Sequence, residues 1–556
     1  MRVIEKKPVK ILIAVLVLAL TAVTIKCMPN TGLKSGSFVA ADTPKVETYV
    51  MDDEGQLQQK GDIARGTEVT VTGRSATVEG DAKADPADAK ADLNLVMVKT
   101  GDREVYISEE NLTEDADGIV REEKVYVRTP ATVYEKENGP DISGFAPKGT
   151  ELKVAGYDKL DSDGIVNRYK VESDGISGWV YGKYMVESQE RADAPFNENG
   201  EYDKAKTAKY GIELYGGKAT DLDYYPVDKP EIKGNKFCRH ARTMYLNWYA
   251  AVHNDEYLKL VEKSGCNAVV MDIKDGVLAY RSEVAKEFSP TSYKHGQVSM
   301  DEYRDAVKKF NDAGVYTIGR IVCFNDKDYG KDHPEDCINS EGWPSAFCRN
   351  VWEYNVKLAI EAAGEMGFNE IQFDYVRFPE ASYELSQSGA DFKNKYGEEK
   401  NQAVQNFCFY AADQIHEAGA YFSVDVFGEC SNGYPTAYGQ YWPAISNVVD
   451  AISSMPYTDH FGTSDTWTEP KGVMMIWAGN AAKAQKMIPT PAAARTWITG
   501  YDTPHWSPVV DYNEEKLQQQ IDALNENGLD GGFIPWNAAS AIDKYRQYQG
   551  IWADKQ

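Results

Sequence analysis

The sequence predicts an α/β chain: a (β/α)8 barrel over residues 241–550, preceded by two small all-β domains. Three observations predict it. Eight short apolar, β-branched runs recur between Arg242 and Asn537, and helical patterns separate most of them. The helical stretches end near glycine, as helix C-termini do. Upstream, residues 45–190 read as short strands with turns, and their landmarks occur twice.

The composition narrows the function classes. The chain has 556 residues, 42% of them hydrophobic and 12% aromatic, so it buries sizeable cores and is not disordered. Lys and Arg number 60 against 86 Asp and Glu, a net charge of −26. Nothing here neutralises phosphates on a large scale, so no nucleic-acid partner is expected. The 35 Tyr and 11 Trp offer flat rings with polar tips, which suit sugars as well as cores.

Residues 1–41 read as a signal peptide or membrane anchor. Arg2, Lys6, Lys7 and Lys10 make a basic start, and Ile11 to Ile25 carry no charge. That apolar run is shorter than the ~20 residues of a membrane-spanning helix. Val39-Ala40-Ala41 supplies the small residues a signal peptidase prefers; an uncleaved anchor is the alternative. Lys26 directly before Cys27 makes a poor lipoprotein signal. The protein is expected to be secreted or held at the cell envelope. It would touch a membrane only through this segment, if uncleaved.

Residues 45–115 and 121–188 form the two β domains. Arg65-Gly66-Thr67-Glu68-Val69 in the first matches Lys148-Gly149-Thr150-Glu151-Leu152 in the second. Glu104-Val105-Tyr106 likewise matches Trp179-Val180-Tyr181. In Arg168-Tyr169-Lys170-Val171-Glu172 the apolar and charged residues alternate, as on a half-buried strand. Gly80 to Asp92 is an Ala/Asp-rich insert in the first unit. The second unit resembles bacterial Src-homology-3-like domains through Val125-Tyr126-Val127-Arg128, Lys148-Gly149-Thr150 and Gly178-Trp179-Val180. The first looks like a diverged copy. The resemblance implies modules that bind a cell-wall peptide or glycan; a spacer without ligand is the alternative. Residues 189–240 are polar and Gly/Pro-punctuated, a linker that can wrap the next domain.

The barrel strands are expected at Arg242–Trp248, Asn267–Lys274, Val315–Phe324, Glu370–Phe378, Tyr421–Phe427, Val448–Tyr457, Thr496–Tyr501 and Gly531–Asn537. Helices are expected at Asp255–Ser264, Met300–Ala313, Val351–Met366, Asn401–Ala418 and Asn513–Asn527. Strand and helix repeated eight times is the arithmetic of this barrel. A doubly wound sheet is the runner-up, but no Gly-rich phosphate loop comes after the first strand.

Buried parallel strands should be almost wholly apolar, yet these carry polar residues. Asp272 and Lys274 share parity on the second strand, and Arg320 sits on the third. Gln372 and Asp374 share parity on the fourth, Asp425 sits on the fifth, and Asn537 closes the eighth. Late-strand positions face the C-terminal mouth, where barrel enzymes place their chemistry. An ion pair inside the barrel is the competing reading for Asp272 with Lys274 or Arg320. Buried charge is costly, so the ring as a whole implies a wet cavity.

Carboxylates outnumber the other candidate groups at the strand ends. Asp374 and Asp425 lie on adjacent strands, which run ~4.8 Å apart, so the two can flank one scissile bond. One acts as nucleophile or base, and the other protonates the leaving oxygen. Glu429, further out, is the alternative acid. Tyr375, Arg377, Tyr457, His460, Asp502 and Trp536 are candidate substrate contacts, with Trp343, Trp477 and Trp506 as further aromatics.

In these stretches the chain resembles the putative glycoside hydrolase family of bacterial TIM-barrel proteins, related in layout to the alpha-amylase-like barrels. The matching residues are Asp272-Ile273-Lys274-Asp275, Gly319-Arg320, Gln372-Phe373-Asp374-Tyr375-Val376-Arg377-Phe378-Pro379, Val424-Asp425-Val426-Phe427-Gly428, Met455-Pro456-Tyr457 with His460, and Pro535-Trp536-Asn537. The resemblance implies a polysaccharide substrate, a nucleophile at Asp374 and an acid at Asp425. The seventh strand departs from the pattern: Trp497-Ile498 lacks a Gln directly after it, and Asp502 and His505 stand nearby instead.

Metal and cofactor are not expected, because there is no CxxC and no Cys/His cluster. A metal-dependent deacetylase therefore ranks behind two other readings, an exported glycoside hydrolase and a non-catalytic carbohydrate- or wall-binding envelope protein. Cys266, Cys323 and Cys408 sit in apolar runs as core thiols, while Cys337 and Cys348 share a polar loop where oxidation would let them pair.

Overall fold

A computed structural model describes residues 23–27, 36–53, 57–78, 93–196, 216–339, 342–461, 464–503 and 507–553. Most of the expected signal segment, the 80–92 insert, His505 and Trp506 lie outside these residues. The chain divides into two units. The first holds residues 1–128 and 148–193, and the second holds 129–147 and 194–556. No helix among the described residues is long and apolar enough to cross a membrane.

The first unit is mainly β, with a short α-helix at Gln189–Asp193. Its first sheet is built around Lys45–Met51, Leu57–Ala64, Glu68–Val78, Leu93–Thr100 and Arg103–Ser108. Val39, Val46, Val69, Val96, Val98 and Ile107 fill its core, each from the inward face of an alternating strand. The repeat seen in the sequence is a repeat in backbone. Gly66 and Gly149 both turn with a left-handed φ, of 81° and 82°. Each donates its N–H to a valine carbonyl, Gly66 to Val39 at 2.8 Å and Gly149 to Val127 at 2.7 Å. Only glycine takes that φ without cost.

Val39-Ala40-Ala41 is part of this unit. Val39 closes a short strand, Ser37–Val39, and Ala40 is fully buried. Ala40 and Ala41 donate to the carbonyls of Asn111 and Ile119 at 2.9 and 3.0 Å. The small-residue stretch expected at the cleavage point thus lies within folded structure.

The second unit carries the barrel. Its eight parallel strands are Ala241–Leu246, Ala268–Asp275, Tyr316–Val322, Glu370–Asp374, Tyr421–Phe427, Ala451–Met455, Ala493–Thr499 and Gly532–Trp536. They pair in sequence order, and the eighth returns to the first. Closure depends on glycine. A Cβ on Gly532 would lie 2.0 Å from the Ala241 carbonyl oxygen, and one on Gly531 would lie 2.4 Å from that of Ala494. At these two positions the eighth strand fits between the first and seventh only without a Cβ.

Helices lie between the strands, at Asp255–Ser264, Met300–Asp312, Arg349–Glu361, Lys400–Glu417 and Glu514–Glu526 among others. Gly265 terminates the first of these at φ 83°. Residues 219–240 run over the barrel: Lys229 Nζ donates to the Asn447 and Val449 carbonyls at 3.0 and 2.7 Å. Several strands are shorter or shifted against expectation: the third is Tyr316–Val322, and the sixth begins at Ala451 and ends at Met455. The fourth stops at Asp374, because Tyr375 turns into the left-handed region at φ 53°. The seventh begins at Ala493, three residues before the β-branched signal at Thr496 that marked it in the sequence.

The barrel interior is layered. Ala241, Tyr245, Ala268, Val270, Tyr316, Ile318, Trp497 and Ile534 make its apolar core. A polar column stands among them on the fourth strand. Glu370 pairs with Arg495 at 2.7 Å, both fully buried. Two residues on, Gln372 donates to Ser453 Oγ at 3.1 Å, and two further on Asp374 meets Arg320.

Candidate active site

Arg320 organises the mouth of the barrel. Its guanidinium is buried and reaches four carboxylates. Nη1 donates to Asp272 at 2.7 Å and to Asp275 at 3.0 Å, and Nη2 donates to Asp374 at 2.6 Å. Nε lies 3.7 Å from Asp425 Oδ2. Burial works against the guanidinium's charge, but Asp272, Asp374 and Asp275 outweigh it and hold the proton on firmly.

The carboxylates differ in environment. Asp374 accepts from Arg320 through Oδ2 and from the Tyr375 amide through Oδ1, at 2.6 Å each. The chain leaves the strand here, with Tyr375 itself in the left-handed region. Asp272 lies beneath, taking the Tyr245 hydroxyl on its other oxygen. Burial pushes its carboxyl up to about 6, against the pull of Arg320. Asp425 is wholly buried and accepts from Trp497 Nε1 at 2.8 Å. Burial first, and the Asp374 charge second, raise it well above the usual carboxylate range.

Above Asp374 opens a cleft of about 620 Å³. Of the residues expected from sequence, Arg320, Asp374, Tyr375, Arg377, Glu429, Tyr457, His460 and Trp536 line it. Arg377 is buried among rings, 4.3 Å from the Phe427 centroid and 4.8 Å from that of Tyr375, and bridges to Glu380 at 3.1 Å. Burial lowers its affinity for the proton. Glu429 is half-buried and takes the Tyr438 hydroxyl. His460 bonds Asp459 at 3.2 Å, which raises the imidazole. Trp343 packs against Tyr375, and Trp477 against Phe461 at the rim.

Six expected residues do not line the cleft. Asp272, Gln372 and Asp425 lie in the barrel interior beneath or beside it. Lys274 points elsewhere. The register slips between Asp272 and Lys274, a bulge that breaks the parity read from sequence and re-aims the next side chains. Lys274 Nζ instead donates to Asp326 at 2.6 Å and Asn355 at 2.8 Å, over the Tyr354 ring. Asp502 is tied to Lys544 and the Tyr512 amide. Asn537 bonds the Ala541 backbone below the last helix.

The same bulge brings Asp275 inward, where strict alternation would place it outside; only the local pairing reveals it. Glu380, Tyr438 and Trp497 also line the cleft unforeseen. Glu380 and Tyr438 come from loops, which carry no periodic signal. All seven described cysteines from Cys238 on are free thiols, including Cys337 and Cys348. Among the described residues, His333, Glu335 and Asp336 form one cluster with metal-ligand spacing, outside the cleft. Tyr329 already donates to Asp336 at 2.9 Å, and His333 Nε2 bonds the Phe288 carbonyl oxygen at 2.6 Å.

Residues 243–542, more than half of the chain, match the family described as "Putative glycosyl hydrolase domain". The chain belongs to this family. The matched region spans the barrel from its first strand to its last helix, so the cleft of this glycosyl hydrolase domain is built by family residues throughout. Among solved structures, the chain is similar to a hypothetical protein from Ruminiclostridium thermocellum, at 29% identity over 33% of this chain and 97% of the other, with a TM-score of 0.28. It is also similar to the PgaB (BpsB) glycoside hydrolase domain from Bordetella bronchiseptica, at 11% identity over 57% and 99% of the two chains and a TM-score of 0.40. The C-terminal domain of a putative chitinase from Desulfitobacterium hafniense is similar at 11% identity over 57% and 98%, with a TM-score of 0.37. Curated proteins give no match.

Proposed function

We propose that this chain is an exported glycoside hydrolase that cleaves a cell-wall or extracellular polysaccharide, with Asp374 as nucleophile and Glu429 as acid/base. One observation carries the reading. Asp374 and Glu429, from the ends of adjacent strands, face the same aromatic-walled cleft at the C-terminal mouth. The nucleophile is pre-oriented by Arg320 and the Tyr375 amide, so attack requires little rearrangement. Glu429 is preferred to Asp425 as acid because a proton donor must reach the glycosidic oxygen, and Asp425 is fully buried. Tyr375, Tyr457 and Trp536 offer faces for sugar rings.

The basic, then apolar, N-terminus supports export, and the repeated β units support attachment to wall peptide or glycan. The second reading, a non-catalytic glycan binder, keeps the same cleft without bond cleavage. Incubating the full chain with a panel of wall and extracellular polysaccharides, and reading released reducing ends beside Asp374→Asn, separates the two. Release by the wild type alone supports the hydrolase. Binding without release supports the second reading.

A further inference from the structure

Asp425 is the buried titratable group that this mechanism leaves unused. Its surroundings are unusual. Oδ1 accepts from Trp497, but Oδ2 has no hydrogen-bond partner. Facing it at 3.7 Å is Arg320 Nε, which also has none. Two buried, complementary atoms thus stand just beyond bonding distance. Arg320 is meanwhile held through Nη1 and Nη2 by Asp272, Asp275 and Asp374. Asp272, Asp374 and Asp425 are buried around one guanidinium and cannot all be charged without a large penalty, and Asp275 adds its charge from the exposed rim.

The groups facing Asp425 are few. Asp374 comes from the fourth strand, Arg320 from the third, Arg495 and Trp497 from the seventh, and Tyr457 from the loop after the sixth. Both its oxygens look at N–H donors, an arrangement that suits a carboxylate. A proton on Oδ2 would find no acceptor there, and no hydrogen bond spans the 3.7 Å to Nε.

We propose that Asp425 is a positioning residue acting through Arg320: it shares one negative charge with Asp374, and takes the guanidinium over when Asp374 bonds to the sugar. The inference rests on the hydrolase reading above. In the first step an Asp374 oxygen bonds to the anomeric carbon as the bond to the leaving oxygen breaks. That oxygen takes the proton of Glu429. Asp374 becomes a neutral ester, the Asp425 proton passes out beside Arg320, which lines the cleft, to a water admitted there, and Arg320 Nε donates to Oδ2. In the second step water attacks the anomeric carbon and gives a proton to Glu429. Asp374 leaves as carboxylate, Arg320 returns to it, and Asp425 takes a proton back from water.

The test is an infrared titration of the full chain, reading the protonated-carboxyl band that Asp425→Asn removes. With Asp374→Asn the midpoint of this band should fall by about one pH unit or more, because the repelling charge is gone. An unchanged midpoint overturns the shared charge, and so does the lack of any Asp425-dependent band at neutral pH. This arm needs no substrate, so it stands apart from failure of the hydrolase reading. In kinetics, Asp425→Asn should keep the acid limb of the pH profile and lower kcat/KM about tenfold. Azide should not restore it. Unchanged kcat/KM overturns the handover to Asp425. A loss of about a thousandfold that azide restores makes Asp425 the acid/base instead. Should Asp425→Asn fail to fold, Asp425→Glu makes the assignment by shifting the band, and a band at neutral pH that this variant leaves in place overturns the proposal.

Discussion

Arg320 Nη2 donates to Asp374 Oδ2 at 2.6 Å, joining the third and fourth barrel strands at the floor of the cleft. The bond fixes the carboxylate that the proposed reaction uses, from a buried side chain at the base of the cleft.

Asp374→Asn should lower kcat by about a thousandfold or more, since the amide cannot attack carbon. The thermal midpoint should hardly move. Asn keeps an acceptor for the Tyr375 amide, and Arg320 retains Asp272 and Asp275. Turnover at wild-type rate in this variant would remove Asp374 from the mechanism.

Glu429→Gln should cost about 10²–10⁴ in rate on natural polymers, and much less on an aryl glycoside whose leaving group needs no proton. Added azide should restore the second step and give a glycosyl azide with retained configuration. Equal losses on both substrates would assign the proton to another group.

Lys274→Ala should destabilise the barrel by about 3–5 kcal/mol, because Asp326 is left buried and unpaired. KM measured on the surviving folded fraction should not change, since Lys274 faces away from the cleft. A raised KM at unchanged stability would return Lys274 to the substrate site.

Asp272 gives stability a sign with pH. Its carboxyl titrates near 6 in the folded chain, above the usual ~3.9 of an unfolded one. The folded state therefore holds this proton longer, and the stability this confers, about 3 kcal/mol, is lost as pH rises from about 4 to 6. Urea midpoints measured across that window should fall in the wild type and stay flatter in Asp272→Asn. Parallel slopes would show that Asp272 ionises normally.

Gly532→Ala should abolish the folding transition of the barrel. Its Cβ would meet the Ala241 carbonyl at a φ of 100°, a combination no small shift relieves. A cooperative transition near the wild-type midpoint would mean that the first and eighth strands can part without loss.

Much of this was legible along the chain. Helix Asp255–Ser264 ends at Gly265 as its sequence requires, and Met300–Asp312 obeys its own periodicity. Asp374, Arg320, Glu429 and Trp536 meet in one cleft because strand order alone sends late-strand residues to one mouth. Parity placed Lys274 at the mouth and gave no such place to Asp275, its neighbour. Parity counting assumes an unbroken pleat, and a single bulge after Asp272 exchanges their directions. Asp502 and Asn537 sit near strand ends yet bind Lys544 and Ala541, because loop direction has no period to read.

By itself the sequence determined the alternation of strand and helix, the doubled β unit and the identity of the carboxylates, since these arise from local periodicity and residue chemistry. Only the tertiary structure decided which carboxylates see substrate. Asp374 and Asp425 are equivalent in sequence, each on the inward face of a barrel strand. Folding sets one against Arg320 at the open cleft and buries the other beside Trp497. Solvent access and charge pairing are properties of neighbours brought from other strands, and no reading of one strand contains them.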